Sequence, residues 1–457
     1  MNRQPVIAIL DVGKTNKKLF LIDEGYNIVA EYAQQLAEVT DEDGFPCDDL
    51  PKLQQLLGDF LQQIIQLTDY EVKAVNVSAY GASFVYINAA GEPVFPLYNY
   101  LKPYNPVLQQ QFYNSYGGEV AFSRSAASPV LGNLNSGMQL YRLKYEQPDR
   151  FAQVQYALHL PQYLAYAISK VPVSEMTSIG CHTNLWNFDT QTYQQWVAQE
   201  GMLEKLPAIV PSDAVYTCDV HSHTLVCGVG LHDSSAALIP YLACEQEPFV
   251  LLSTGTWCIA LNPFNASPLT DEQLQHDCLC YLSYQGKPVK ASRLFAGHFH
   301  EQEAKRIAAH FGEADDFYKH INADDHLLEA LRQRIAPASN DVLNNVSVAA
   351  FAHRELSLFA TATEAYHQLM LDMVAQQVHA LQFVLRGSEP VSKLFVDGGF
   401  SNNPLFMQLL AKAYPQVQVY ASQVAQASAI GAALAIHTHW NTQPIPHNLL
   451  KLTHYDH

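Results

Sequence analysis

Two aspartates stand where a chain would need them to move a phosphate. Asp11 follows the apolar run Ile7-Ala8-Ile9-Leu10 and opens the polar turn Val12-Gly13-Lys14-Thr15-Asn16. Glycine lets backbone amides approach an anion closely, the hydroxyl and amide side chains add donors, and Lys14 adds charge, which is chemistry for a polyphosphate. A carboxylate beside such a grip suits magnesium, which binds through one or two carboxylates plus substrate phosphates; an aspartate that opens a turn by hydrogen-bonding its own backbone has the same pattern. Asp233 follows Gly228-Val229-Gly230-Leu231-His232 and precedes Ser234-Ser235-Ala236-Ala237. Phosphoryl transfer to a hydroxyl needs a residue that orients and deprotonates the acceptor, and Asp233 has the type and place for it. It also has the type and place of a helix N-cap.

A second grip repeats the first. Phe249-Val250-Leu251-Leu252 runs into Ser253-Thr254-Gly255-Thr256, so the chain carries two strand-turn-strand hairpins of one design, as expected of a nucleotide held between two lobes. The first is not a P-loop, because Ala8 occupies the place of that motif's first glycine. Asp397-Gly398-Gly399-Phe400-Ser401-Asn402 is a glycine turn between strand and helix, suited to a base or ribose lying on bare backbone. It lacks the G-x-G-x-x-G of dinucleotide folds.

The elements that must hold these residues are legible in outline. Lys18–Ile22 and Asn27–Tyr32 continue the first strand as a meander around the turn Asp23-Glu24-Gly25-Tyr26. Leu53, Leu56, Leu57, Phe60, Leu61, Ile64 and Ile65 predict an amphipathic helix capped by Asp48 or Asp49, with Pro51 in its first turn. Ala74–Ser78 then predicts a strand ending at Tyr80-Gly81, and the order gives a mixed sheet with a crossover helix. Residues 121–219 read as a tyrosine-rich, helical elaboration of the first lobe. The second lobe is placed from Leu225, dividing the chain into 1–224 and 225–457, with helices over Tyr366–Leu385, from Pro404, and over Ala425–Ile436.

Composition closes off other classes. A chain of 457 residues, 48% hydrophobic and 15% charged, is a folded protein of two to three domains. The formal charge of -18 comes without a basic cluster, which excludes a nucleic-acid partner held through phosphates. No apolar run approaches the ~18 residues of a membrane span, and no signal-peptide pattern precedes Val6, so a cytoplasmic place is expected. Eight cysteines without paired C-x-x-C spacing read as reduced thiols. Oligomeric state leaves no mark on the sequence.

Taken in order, these segments resemble the FGGY carbohydrate kinases of the actin, sugar kinase and heat-shock chaperone superfamily. Asp11-x-Gly13 is similar to their first phosphate motif, Gly230-x-His232-Asp233 to their catalytic segment, and Ser253-Thr254-Gly255-Thr256-Trp257 to their second phosphate motif. Asp397-Gly398-Gly399-x-x-Asn402 is similar to their adenosine motif, and Ala427–Ala433 to the helix that closes their second lobe. His232-Asp233-Ser234, Leu252–Trp257, and Leu160-Pro161-Gln162-Tyr163 with Glu175-x-Thr177 resemble the rhamnulokinase and fuculokinase branch.

The resemblance implies an α/β fold of two ribonuclease-H-like lobes with a nucleotide cleft between them, whose closure excludes water. It implies ATP and Mg2+ as cofactors, a small-molecule sugar as partner, and phosphorylation of a ketose hydroxyl with Asp233 as general base. Asp11 would position the metal; Gly13, Lys14, Thr15, Asn16, Gly255 and Thr256 the phosphates; Gly398, Gly399 and Asn402 the adenosine; and Tyr80, Gly81, Ser83 and His232 the sugar. That branch carries a sugar-touching aspartate where Ser83 stands, and the broader family a lysine and a tryptophan near Gln139 and Arg142. The alternatives are a kinase for another pentulose or polyol, and a non-catalytic nucleotide-binding sensor, against which Asp233 argues. Tyr98 is a further candidate sugar contact, and Trp186, Arg293 and His298 have no assigned role.

Overall fold

A computed structural model describes residues 3–220, 223–424 and 426–456. The chain forms two compact units: Met1–Cys244 with Cys280–Pro288 and Ala425–Leu449, and Glu245–Leu279 with Val289–Val424 and Leu450–His457.

The first unit opens with the expected meander, β1 (Gln4–Val12), β2 (Lys17–Asp23) and β3 (Ile28–Gln34), paired antiparallel. Helix α1 (Leu50–Ile65) follows, and its cap is Asp49, whose carboxylate accepts from Lys52 N at 3.0 Å. The crossover lays β4 (Tyr70–Ala79) parallel to β1, with Ser78 opposite Asp11. The elaboration beyond it packs its own aromatic core, with Phe112, Tyr141 and Trp196 at its centre, and contains helix α2 (Leu160–Ser169). Later in the same elaboration, Gln195–Gln199 is a short helix.

The chain then returns to the first sheet through β5 (Val215–Val220), β6 (His223–Gly228) and β7 (Leu231–His232), the last running straight into helix α3 (Asp233–Cys244). Both β6 and β7 pair parallel with β4. The expected division at 224/225 is therefore corrected: it falls inside β6, a strand whose hydrogen-bonding partner lies about 150 residues earlier. The first unit keeps the chain as far as Cys244.

In the second unit β8 (Phe249–Thr254), β9 (Cys258–Asn262) and β10 (Pro288–Leu294) form the second meander. Helices α4 (Ala296–Phe311) and α5 (Ala362–Leu385) lead to β11 (Lys393–Gly398), helix α6 (Pro404–Ala413) and β12 (Gln418–Gln423). Asn403 caps α6, accepting from Phe406 N at 3.0 Å. Helix α7 (Ala427–Ala435) comes next, then the edge strand β13 (Lys451–Tyr455); the sheet runs β10-β9-β8-β11-β12-β13, with the short strand Cys278–Leu282 at its other edge beside β10. Its helices close a core around Phe351, Leu369, Met370 and Val396.

Helix α7 does not close the second unit, as the resemblance implied; it belongs to the first, packed on α3. Small residues decide this. A Cβ on Gly431 would lie 1.8 Å from the Ala236 carbonyl oxygen, so only glycine admits the approach. Ala425, the expected start of this helix, lies outside the described residues. With α7 in place both faces of β1 are buried: Val6, Ala8 and Leu10 face α1 and α2, while Ile7 and Ile9 face α3 and α7. Double burial is why β1 reads as an uninterrupted apolar run. Among the described residues no helix is long and apolar enough to cross a membrane.

Candidate active site

At the carboxyl end of the first sheet, β1 delivers Asp11 on the face covered by α3 and α7, in step with Ile7 and Ile9. Asp233 is the first residue of α3. The two carboxylates feel one another: burial, then the Asp233 charge, push the Asp11 carboxyl up to about 6, against the opposing pull of the Ser78 and Ser428 hydroxyls and Lys18. Ser428 lies in the first turn of α7. Two helix N-termini thus bracket Asp11, and such ends favour anions and the groups that hold them.

Asp233 does not make the amide bond of an ordinary N-cap two or three residues ahead. Its Oδ1 accepts from Ser234 N at 2.6 Å and faces His232 Nε2 at 3.4 Å, and among the described residues Oδ2 has no protein donor. His232 is buried and held on several sides. Its Nε2 is 3.3 Å from Cys181 Sγ, its ring stacks on Tyr281 at 5.9 Å, and its amide donates to Thr177 Oγ1 at 3.0 Å. Burial keeps the imidazole pKa below its usual value although the Asp233 charge opposes this. A neutral ring facing an acceptor-only carboxylate directs its Nε2–H at Oδ1. Gly81 lies beneath this ring; a Cβ there would come within 2.6 Å of His232 Cδ2.

The loop before Asp233 is anchored by one buried amide. Asn76 on β4 accepts from Val77 N at 2.9 Å and Gly230 N at 3.1 Å through Oδ1, and donates from Nδ2 to Ala432 O on α7 at 2.9 Å. Gly230 takes φ +77°, and a Cβ there would lie 2.4 Å from Pro161 O. Gly228 is equally obligatory, because a Cβ would lie 2.3 Å from Asn76 Oδ1.

The first turn is organised differently from its sequence reading. Gly13 N donates to Asn16 O at 3.0 Å, and Thr15 and Asn16 are exposed at the tip. The Lys14 ammonium, expected to add charge toward phosphate, is turned onto Glu38 at 2.7 Å and Asp48 at 2.8 Å. Lys17, 1% exposed, closes the turn from beneath, donating to Gly13 O, Lys14 O and Asp48 Oδ1 at 3.2, 2.9 and 3.0 Å. Asp48 also accepts the Tyr80 hydroxyl at 2.8 Å.

The remaining sugar candidates separate. Tyr80 is buried with its hydroxyl on Asp48, and Tyr98 is buried with its hydroxyl on Glu42. Ser83 is wholly buried and donates to Tyr98 O at 2.8 Å, so the hydroxyl expected at the sugar is turned into the fold. The sequence reading missed Ser78, Ser428, Cys181 and the clamp formed by Lys17. For Lys17 a signal existed, since it shares the strand phase of the buried Leu19 and Leu21.

In the second unit, Gly255 N donates to Trp257 O at 2.9 Å, leaving Gly255 and Thr256 exposed at the turn. Two glycines let backbone pass beside it: a Cβ on Gly297 would lie 1.9 Å from Gly255 O, and one on Gly398, at φ +78°, 1.8 Å from Thr254 O. Thr254 joins the two turns, its hydroxyl donating to Asp397 O and accepting from Phe400 N at 2.9 Å. Beside them a cavity of about 430 Å³ is lined by Gly255, Gly297, His300, Tyr318, Gly399 and Asn402. The second turn and the glycine turn thus share one pocket, of a size usual for small ligands. Arg293 is held by Asp277 at 2.7 Å and lies over the Trp257 ring at 5.4 Å, and His298 stacks on Phe295 at 4.3 Å. Trp186 is buried in the aromatic core of the first unit.

A strand-end carboxylate pair in one mixed sheet and a glycine-lined pocket in another are the parts of a phosphotransferase of the two-domain sugar kinase class. Residues 6–238 match the FGGY family of carbohydrate kinases, N-terminal domain, and residues 246–444 match carbohydrate kinase FGGY, C-terminal domain. The chain belongs to the FGGY family of carbohydrate kinases and is a sugar kinase. It is 22% identical over 452 residues to a rhamnulokinase of Mannheimia succiniciproducens, covering 93% of this chain and 88% of that one. Its fold is similar to that of a carbohydrate kinase from Novosphingobium aromaticivorans (TM-score 0.81, 21% identity, 100% of this chain and 95% of the other). A xylulose kinase from Lactobacillus acidophilus is also similar (TM-score 0.76, 16% identity, 99% and 93%).

Proposed function

We propose that this kinase transfers the terminal phosphate of ATP, with Mg2+, to a hydroxyl of a ketose resembling rhamnulose or fuculose. The observation that carries the reading is the Asp11 and Asp233 pair at the strand ends, one enclosed and calling for positive charge, the other with Oδ2 open. Carbohydrate kinases of this family use ATP with a divalent metal. The residues fit both groups. An enclosed carboxylate raised by a second carboxylate suits a cation, and the pocket beside Gly255, Gly297 and Gly399 offers bare backbone to a nucleotide.

The metal would supply charge neutralisation at the transferring phosphoryl group. Asp11 would hold it. Asp233 Oδ2 takes the proton of the attacking hydroxyl, while the His232 Nε2–H on Oδ1 fixes the carboxylate plane. Gly13, Thr15, Asn16, Gly255 and Thr256 present turn amides and side chains to phosphates, and Gly398, Gly399 and Asn402 present the adenosine surface. Lys14, drawn to Asp48 and Glu38, sets the shape of the first turn.

The ketose is supported by likeness to the Mannheimia rhamnulokinase and by the His232-Asp233-Ser234 run. A second reading, another pentulose, is favoured by Ser83, whose inward hydroxyl removes a sugar contact that the rhamnulokinase-like branch would have. A panel of ketoses, pentuloses and polyols assayed for ADP release decides between them. Turnover highest with six-carbon deoxyketoses supports the first; turnover confined to pentuloses replaces it with the second.

A further inference from the structure

We propose that Tyr100 is a sugar-contacting, specificity-determining residue of this kinase, donating its hydroxyl to a substrate oxygen next to the one that Asp233 deprotonates. The inference rests on the kinase reading above.

The wall of the first unit's site is tyrosine-rich, and most of its hydroxyls are occupied. Tyr80 is tied to Asp48, Tyr98 to Glu42, and Ser83 to the Tyr98 carbonyl. Tyr100 differs: it is half-buried and its hydroxyl has no protein partner among the described residues. Its place follows from the sheet. Tyr80 directly follows β4, and its amide donates to Val12 O, one residue beyond Asp11, at 3.2 Å. On the other side of β4, His232 pairs with Ala79 and delivers Asp233. Tyr80 therefore stands between the points where both carboxylates emerge, and the Tyr100 ring packs edge-on against it at 5.8 Å and 61°.

Charges agree with that position. Burial raises the Tyr100 phenol above its usual pKa; Lys14 opposes this, and Asp233 and Asp48 add to it, so all three face the ring. The phenol stays protonated and is a donor. Around it Asp233 and Asp48 are acceptors only, and the Lys14 ammonium is engaged. A donor placed beside a base, with no protein acceptor of its own, matches a vicinal diol or an α-hydroxy ketone: one oxygen gives its proton to Asp233 and the neighbouring oxygen accepts from Tyr100. This restores, from a turn outside the sheet, the hydroxyl recognition that Ser83 does not supply.

Tyr100→Phe keeps the ring on Tyr80 and removes only the donor. The expected result is a rise in the KM of the best sugar of about 5- to 20-fold, the range of one hydrogen bond between a protein and a polar substrate group. KM for ATP and the melting temperature stay at their wild-type values. Wild-type enzyme should lose the same factor with the deoxy analogue lacking the contacted oxygen, and the variant should lose nothing further with it. A sugar KM within twofold of wild type for every sugar that the wild type phosphorylates overturns the role of Tyr100 and leaves the kinase reading standing. Absence of sugar-dependent ADP release by the wild type overturns that reading, and this one with it.

Discussion

Replacing Asp11 with asparagine should stabilise the first unit while ending turnover, and both effects have one cause. In the folded protein this carboxyl loses its proton near pH 6, against 3.8 for an ordinary aspartate. The folded state thus holds an extra proton across that window. The stability it contributes is full below pH 3.8 and is lost as the pH rises through about 6. Each pH unit of the difference carries ~1.4 kcal/mol, so above pH 7 the ionised side chain opposes folding by at most about 3 kcal/mol. Water on the open side of the site lowers that to about 1–3 kcal/mol. Asparagine keeps the shape but has no charge to bury. Thermal melts of both proteins between pH 4 and pH 8, with and without Mg2+, test this. Asp11→Asn should melt level with wild type near pH 4 and higher at pH 8, by ~2–4 °C per kcal/mol. Mg2+ should raise the wild-type melting temperature at pH 8 and leave the variant unmoved. A variant that melts at or below wild type at pH 8 refutes the enclosed, opposed carboxylate; an equal response to Mg2+ in both refutes Asp11 as the metal's holder.

Three further outcomes follow from the geometry. Asp233→Asn should lower kcat by ~10²–10⁴-fold with ADP affinity unchanged by calorimetry; turnover within tenfold of wild type removes Asp233 as the base. Gly398→Ala, at φ +78° with its Cβ 1.8 Å from Thr254 O, should weaken ADP binding more than tenfold and cost more stability than Gly387→Ala. Gly387 has φ +82° and its nearest neighbour at 3.5 Å, so equal costs would show that backbone strain alone is felt at 398. Lys17→Met should destabilise by about 3–5 kcal/mol in urea, because Asp48 keeps its burial and loses a partner; a loss below ~1 kcal/mol means that Lys17 does not clamp the turn.

The strand ends were legible in the sequence for a physical reason. A strand buried on both faces is an apolar run, and the first polar residue after it emerges at the end of the sheet, which located Asp11 before any contact was known. Asp233 was legible as the residue opening a helix, although both a base and a cap have that place. What was hidden was the partner of each polar group. Nothing near Ser83 in sequence shows that its hydroxyl meets Tyr98 O, or that Lys14 turns to Glu38 and Asp48, since those choices depend on which loops pack above the sheet. The 224/225 boundary failed likewise: β6 takes its place by pairing with Ala74 and Val75, a long-range choice without local pattern. Ala427–Ala435 was legible as a close-packing helix but not as a neighbour of α3, because alanine and glycine state how near a partner comes and not which partner it is.

The return of α7 to the first unit sets an order of events during synthesis. About 180 residues separate Cys244 from Ala427, and at ~5–20 residues per second they take about 10–40 s to make. Throughout that interval the nascent first sheet presents Ile7, Ile9, Leu231, Ala236 and Ile239 without the helix that covers them in the finished protein. The second unit is made while the first is still incomplete. A stop codon anywhere before residue 427 therefore damages the half of the molecule that was translated first, exposing a sticky apolar face beside Asp11 rather than merely trimming the second unit.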